Sequence, residues 1–370
     1  MARESSTGVV GHGPLVINGD VAGTMVKYAR AAVRRPANAV DVLVITARPV
    51  EFTAVRNTAT GRPGVLSWQP RDEHGSAPYL TGDYRTAGGR RLTVALARPT
   101  RTGGRSTAPI ATTLANRLKP ACLAMAGVCS GSPSRTLPGD VVIADRVYEY
   151  DEGRLRSADF EGDHQQYQLD NRWLRAAQDF RPDALTCYGP AGDREVLTWL
   201  LERLDRGEDP ARHQARDRYL PPGTFRPRMA FLTREGLVEE DGVRWALTGR
   251  GRTFLHRQTE EDVRPAARLP FAVHVGPMAS GSAEIEDPRI WPRLRAMGIR
   301  SITALDQEAA TVATIAHQHR IRHWLVAKGV TDQAEPGRDS RYEDFAAHAS
   351  AEVLWALLAD LVPAANGEAG

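Results

Sequence analysis

Residues 40–58, VDVLVITARPVEFTAVRNT, decide the fold. The run from Val42 to Ile45 is apolar without a break. A strand that alternates would expose one face, so a continuous run reads as a strand covered on both faces of a sheet. ARPVEFTAVRNT then starts a helix, and an acid, Glu51, stands just past the strand's end. The pattern repeats downstream. LTVALAR (92–98) reads as a strand, and STAPIATTLANRL (106–118) as an amphipathic helix capped by Ser106 with Pro109 in its first turn. ACLAMAGVC (121–129) reads as a strand entering a glycine turn over 127–131. GDVVIADRVYEY (139–150) is a further strand. Strands alternating with helices predict an α/β fold, a sheet covered by helices in three layers.

Residues 191–265 break this rhythm. REVLTWLLERLD reads as an amphipathic helix, TFRPRMAFLTREGLV as a helix stopped at Gly236, LVEEDGVRWAL as a hairpin turning at Asp241-Gly242, and TGRGRTFLHRQ as a short helix. Helix, helix, hairpin is the order of a winged helix-turn-helix module. The α/β texture returns at 266, with FAVHVGPMASG and HWLVAKGVTDQAE as strands, ITALDQEAATVATIAHQHR as a strand end and helix, and FAAHASAEVLWALLADLV as a C-terminal amphipathic helix. The expected layout is a glycine-punctuated N-terminal tail (1–39), an α/β domain in two parts (40–190 and 266–362), an inserted module (191–265) and a short tail (363–370).

Composition excludes several classes. The chain has 370 residues, 42% hydrophobic and 25% charged, which rules out a wholly disordered or fibrous protein. No run of ~18 apolar residues predicts a membrane helix. The N-terminus lacks the basic-then-apolar layout of a secretory signal. Three cysteines without a CxxC pair make no disulfide framework. The expectation is a cytoplasmic protein without a membrane partner. A net charge of +3 argues against a general polyanion binder. Among 48 basic residues only Lys27, Lys119 and Lys328 are lysines, which reads chiefly as composition.

Three acids stand at strand or loop ends: Glu51, Glu308 after ITALDQ, and Asp332 after WLVAKGVT. Ligands of open α/β sheets bind beyond the carboxyl ends of the strands. With these motifs in place the chain resembles the nucleoside phosphorylase and nucleosidase superfamily, in particular its methylthioadenosine/S-adenosylhomocysteine nucleosidase branch. VLVITARPVEFTAV is similar to that family's first strand and acid. MAGVCSGSPSRTLPGDVVIADRVYEYDEG is similar to its glycine turn and following strand, MASGSAEI to its S/T-G-D segment, ALDQEAATVA to its E-M-E-A helix, and KGVTDQAE to its I-S-D-x-A-D loop. The resemblance spans 40 to about 190 and 266–362. It implies that Glu51 activates the attacking water, that Glu308 grips the ribose hydroxyls, and that Asp332 protonates the base at N7. It implies a substrate site completed by Ala47, Gly127, Val128, Ser280, Gly281 and Gln307. The chemistry asks for the same types, because breaking an N-glycosidic bond puts positive character on the sugar and negative charge on the leaving base.

The sequence departs from the family in places. Asp306 and Gln307 replace the first glutamate and the methionine of E-M-E, Ser282 replaces the aspartate of S-G-D, and Val128 stands where a small hydroxyl residue is usual. The phosphate-binding G-D-P-x-R loop of the phosphorylases is missing from ITARPVE, so water is the expected nucleophile. Arg98, Arg101 and Arg105 flank a glycine pair before a helix, a setting for a phosphate group or for a plain solvated loop. The phosphate reading makes the substrate a nucleotide, and the chain then resembles the nucleosidase effectors of bacterial antiphage systems that release adenine from ATP. The housekeeping nucleosidase and a nucleoside-sensing DNA-binding regulator stand as alternatives. VINGDVAGTMV resembles terminal segments of effectors paired with sensor NTPases, or is a flexible tail.

Residues 212–257 hold ten arginines and five acids, yet the whole insert carries 14 of each sign, so nucleic acid is not the expected partner. Protein interaction or an oligomer contact is expected instead, consistent with a homo-oligomeric superfamily. His317, His319 and His323 lack the acid of a metal motif, and no metal or cofactor is expected.

Overall fold

The computed structural model describes residues 36–362 except 37, 62, 158, 243, 262–265 and 337–341. Of the N-terminal tail expected over residues 1–39, residues 1–35, with VINGDVAGTMV among them, lie outside the described residues. Val42–Ile45 is a strand with every residue fully buried. Its side chains divide by parity: Val42 and Val44 enter one hydrophobic core, Leu43 and Ile45 another on the opposite face. That division is the physical content of the unbroken apolar run, since successive strand residues point to opposite faces. Helices Pro49–Thr58 and Glu343–Leu361 cover the first face; helices Gly104–Leu118 and Ala309–Gln318 cover the second. This is a three-layer α/β arrangement.

Val42–Ile45 pairs in parallel with Arg91–Ala97 on one side and Cys122–Gly131 on the other. Beyond it the pairings close on themselves. Cys122–Gly131 pairs with His323–Asp332, which pairs with Val141–Glu149, then Val273–Ser280, then Ala304–Asp306, which returns to Cys122–Gly131. Closure brings the carboxyl ends of these strands together, so Ser130, Glu149, Ser280, Asp306 and Asp332 surround one region.

Three local expectations are corrected. The helix expected from Ser106 begins at Gly104 and is capped by Gly103 at φ 95°, so Ser106 lies inside its first turn and Pro109 in its second. Glycine is the residue that tolerates that backbone. The glycine turn expected over 127–131 is continuous strand to Gly131. The C-terminal helix is not amphipathic: it is buried almost all round, between the sheet and helix Pro49–Thr58.

The segment 191–265 carries helices Asp193–Asp205, Arg216–Tyr219, Phe225–Arg234 and Gly249–His256, with a hairpin of Val238–Asp241 and Arg244–Leu247. Its core residues Trp199, Leu200, Leu201, Tyr219 and Met229 are continuous with the core beneath Glu343–Leu361. Among the described residues no helix is long and apolar enough to cross a membrane.

Candidate active site

A cavity of about 280 Å³ lies at the converging strand ends, lined by Ala47, Glu51, Val128, Ser130, Gln307 and Glu308 among others. Glu51 sits in the first turn of its helix and is 1% exposed. Its Oε2 accepts from the backbone N–H of Ala47 (2.7 Å) and Arg48 (2.9 Å), and its Oε1 from Val128 N–H (2.8 Å). Three backbone donors fix both oxygens in a single orientation. Gly127 explains how the carboxylate fits: a Cβ there would lie 2.4 Å from Glu51 Oε1.

Glu308 is the N-cap of helix Ala309–Gln318 and 4% exposed. Its Oε1 accepts from Gly103 N–H at 2.7 Å, and its Oε2 lies 3.2 Å from Lys328 Nζ. Lys328 Nζ is equally close, 3.2 Å, to Asp306 Oδ2. Asp306 is held in turn by Ser280 Oγ (2.6 Å) and Ala309 N–H (2.9 Å). Burial works against the Lys328 ammonium, but Glu308, Asp306 and Glu51 outweigh it and raise its pKa, so the lysine stays charged. Burial pushes the Glu308 carboxyl up; Lys328 opposes that shift, while the like charges of Asp306 and Glu51 add to it. At the end of its strand, Glu149 is pushed up to about 7, first by burial and then by Asp306, Asp151 and Glu152, with the Thr311 hydroxyl opposing.

Asp332 ends the strand His323–Asp332, one hydrogen bond from Ser130. Its Oδ1 accepts from Ser130 Oγ at 2.5 Å and Ala334 N–H at 2.9 Å, and its Oδ2 lies 2.6 Å from Thr331 Oγ1. Ser130 lines the cavity, and Asp332 itself lines a neighbouring one. Thr331 Oγ1 is also 3.3 Å from the carbonyl of Cys129.

The structure thus brings Ala47, Glu51, Gly127, Val128, Gln307 and Glu308 together. Ser280 and Gly281 are one step removed, supporting Asp306 from behind through Ser280 Oγ and the Gly281 N–H to Asp306 O bond (3.0 Å). Arg98, Arg101 and Arg105 are exposed and do not line the cavity; Thr102 and Arg48 do. Arg98 lies 5.9 Å from the ring centre of Phe52 and donates to Pro99 O. Sequence reasoning missed Lys328, Asp306 as its partner, Ser130 and Arg48. Lys328 had a signal: an ionisable side chain inside the apolar run HWLVAKGV must find partners if the run is buried. Among the described residues no cluster of side chains is arranged to hold a metal ion.

No protein-family model matches the chain, and no curated protein is similar to it. Solved structures are. The chain superposes on the Neisseria meningitidis 5'-methylthioadenosine/S-adenosylhomocysteine nucleosidase in complex with methylthio-immucillin-A with a TM-score of 0.51 at 15% identity, covering 86% of this chain and 99% of that one. The Streptococcus pyogenes S-adenosylhomocysteine nucleosidase in complex with 5-methylthiotubericidin gives 0.52 at 15%, covering 88% and 99%. The S. pneumoniae enzyme with a transition-state inhibitor gives 0.51 at 16%, covering 86% and 99%. The whole length of these nucleosidases is accommodated, with local identity too low to carry more than architecture. The central sheet and its covering helices are therefore those of the nucleosidase fold.

Proposed function

We propose that the chain is an N-glycosyl hydrolase that releases adenine from an adenine nucleoside or nucleotide. The observation that supports this reading is a cavity lined by Glu51 and Glu308, with Lys328 bonded to Glu308 and Asp332 one hydrogen bond away through Ser130, on a fold whose solved examples are nucleosidases. Water held by Glu51 attacks C1′ and gives a proton to its carboxylate. The C–N bond breaks with its electron pair going to the base, and Asp332 supplies the proton at N7. Glu308, kept in place by Gly103 N–H and Lys328, accepts hydrogen bonds from the ribose hydroxyls. General acid and base steps of this kind contribute ~10²–10⁴-fold each.

Within this reading we favour a nucleotide, ATP, as substrate, and a role as an antiphage effector. Arg101 and Arg105 flank Thr102, which lines the cavity, and the N-terminal turn of helix Gly104–Leu118 adds orphan N–H groups. At about 280 Å³ the cavity is at the small end for ligand pockets, typically ~300–1,000 Å³, so phosphates would project toward this loop. Methylthioadenosine/S-adenosylhomocysteine hydrolysis accords equally with the fold, and the apolar lining residues Ala47, Val128 and Ile285 favour it. We read residues 191–265 as a winged-helix-like module that contacts protein, and the assembly as homo-oligomeric. The test is free adenine measured after incubation with ATP, AMP, adenosine or methylthioadenosine, beside the Asp332→Asn variant. Turnover of methylthioadenosine alone would remove ATP. A fully active Asp332→Asn would remove the assigned proton donor.

A further inference from the structure

A second cavity, about 290 Å³, lies between the inserted segment and the loop that carries Asp332. One wall is formed by Arg203, Arg206, His213 and Arg218 of the insert, the other by Thr331, Asp332, Gln333 and Glu335, two of them acids. Hydrogen bonds of the lining residues hold both walls in place. Arg218 bonds to Asp140 and to Pro138 O, Gln333 Nε2 donates to Thr136 O at 2.7 Å, and Tyr219 OH meets Tyr342 OH at 2.9 Å. Asp140 neutralises Arg218. Arg203 has a side chain only 14% exposed, with Glu208 at 3.0 Å and Glu202 at 4.0 Å, and Glu208 is also 3.8 Å from His213. The Arg203 Nε is buried with no hydrogen-bond partner among the described residues. Arg206 is exposed at the same rim, and His213 stands edge-on to Trp199 with its pKa lowered, first by burial and then by Arg203. Guanidinium groups gathered around a concave space, one with a buried unused donor, match the oxygens of a phosphate group.

We propose that this cavity binds a small phosphate-bearing anion and that occupancy there acts on the loop holding Asp332. Thr331, Asp332 and Gln333 all face it, while Asp332 is joined through Ser130 to the first cavity. An anion seated between Arg203 and Arg206 therefore contacts the insert on one side and the acid's own loop on the other. The link to catalysis rests on the hydrolase reading; the binding site does not.

The full chain is titrated with inorganic pyrophosphate by calorimetry. Saturable binding at one site per chain is expected. Arg206→Glu, on an exposed side chain whose change leaves the fold intact, should weaken it by roughly tenfold or more, as should Arg203→Gln. Arg212→Ala, a 90% exposed arginine of the same insert, and Glu51→Gln should leave it unchanged. No binding at millimolar pyrophosphate, or equal binding by wild type and Arg206→Glu, overturns the site. Loss of binding in Arg101→Glu/Arg105→Glu instead would place the anion at the first cavity and also overturn it. If adenine release is detected, saturating pyrophosphate should change its kcat by about fivefold or more in wild type and not in Arg206→Glu. An unchanged kcat overturns the coupling, while absence of any adenine release counts against the hydrolase reading and leaves the binding result standing.

Discussion

Gly127→Ala isolates the fit between strand and base. The new methyl carbon would lie 2.4 Å from Glu51 Oε1, 2.6 Å from its carboxyl carbon and 3.0 Å from Oε2. Ordinary contact begins at 3.4 Å, so the carboxylate must retreat by about 1 Å. It cannot do so freely, because N–H groups of Ala47, Arg48 and Val128 hold it at 2.7, 2.9 and 2.8 Å. A misplacement of that size costs ~10²-fold in rate, while overpacking a strand by one methyl costs ~1–3 kcal/mol of stability. The variant should therefore fold, melt a few degrees lower and release adenine ~100-fold more slowly. The control is a cycle with Glu51→Asp, whose shorter side chain withdraws the carboxylate. In that background the methyl has room, and its further cost should fall by ~1 kcal/mol or more of coupling energy. Activity of Gly127→Ala within about twofold of wild type, or an equal loss in both backgrounds, would refute the reasoning.

Other consequences follow from the buried charges and the loop arginines. Lys328→Met strands Asp306 and Glu308 without their cation and should cost ~3–5 kcal/mol in urea unfolding; Lys328→Arg keeps the charge and should cost less, so equal losses would count against the charge argument. Glu149 holds its proton up to about pH 7 in the folded chain against 4.5 for the ordinary carboxyl. Between those values the folded state binds the proton more tightly, so stability falls as pH rises through the window. Glu149→Gln should flatten the melting temperature between pH 5 and 7, and an unchanged slope would contradict the assignment. Charge reversal at Arg101 and Arg105 should raise the KM for ATP by roughly tenfold while leaving adenosine within about twofold; equal effects would remove the phosphate role of the loop.

The architecture was legible because its signals are local. An unbroken apolar run has a direct physical consequence, a strand with cores on both faces, and Val42–Ile45 fulfils it. The acids stand out in sequence for a similar reason: Glu51, Glu308 and Asp332 each lie at or just past a strand end. What was missed depends on partners distant in sequence. Lys328 looked like one rare lysine in an arginine-rich chain until Asp306 and Glu308 were found beside it. The segment 127–131 reads as a turn by glycine content, but its neighbours on two strands keep it extended, and Gly127 serves the bulk of Glu51 instead. Ser106 has the chemistry of a cap, yet the backbone begins its helix two residues earlier because only Gly103 accepts φ 95°. The arginines of 98–105 are prominent in sequence and solvent-exposed in the fold, where distance to the cavity cannot be read from spacing.

The central claim is that water, directed by Glu51, displaces adenine from the sugar. Reaction in ¹⁸O-labelled water without phosphate, followed by mass spectrometry of both products, tests it most directly. The account predicts unlabelled adenine and one ¹⁸O atom at C1 of the released sugar, with both products suppressed in Glu51→Gln. Release that requires phosphate and yields a sugar 1-phosphate, or labelled sugar formed at an undiminished rate by Glu51→Gln, would contradict it.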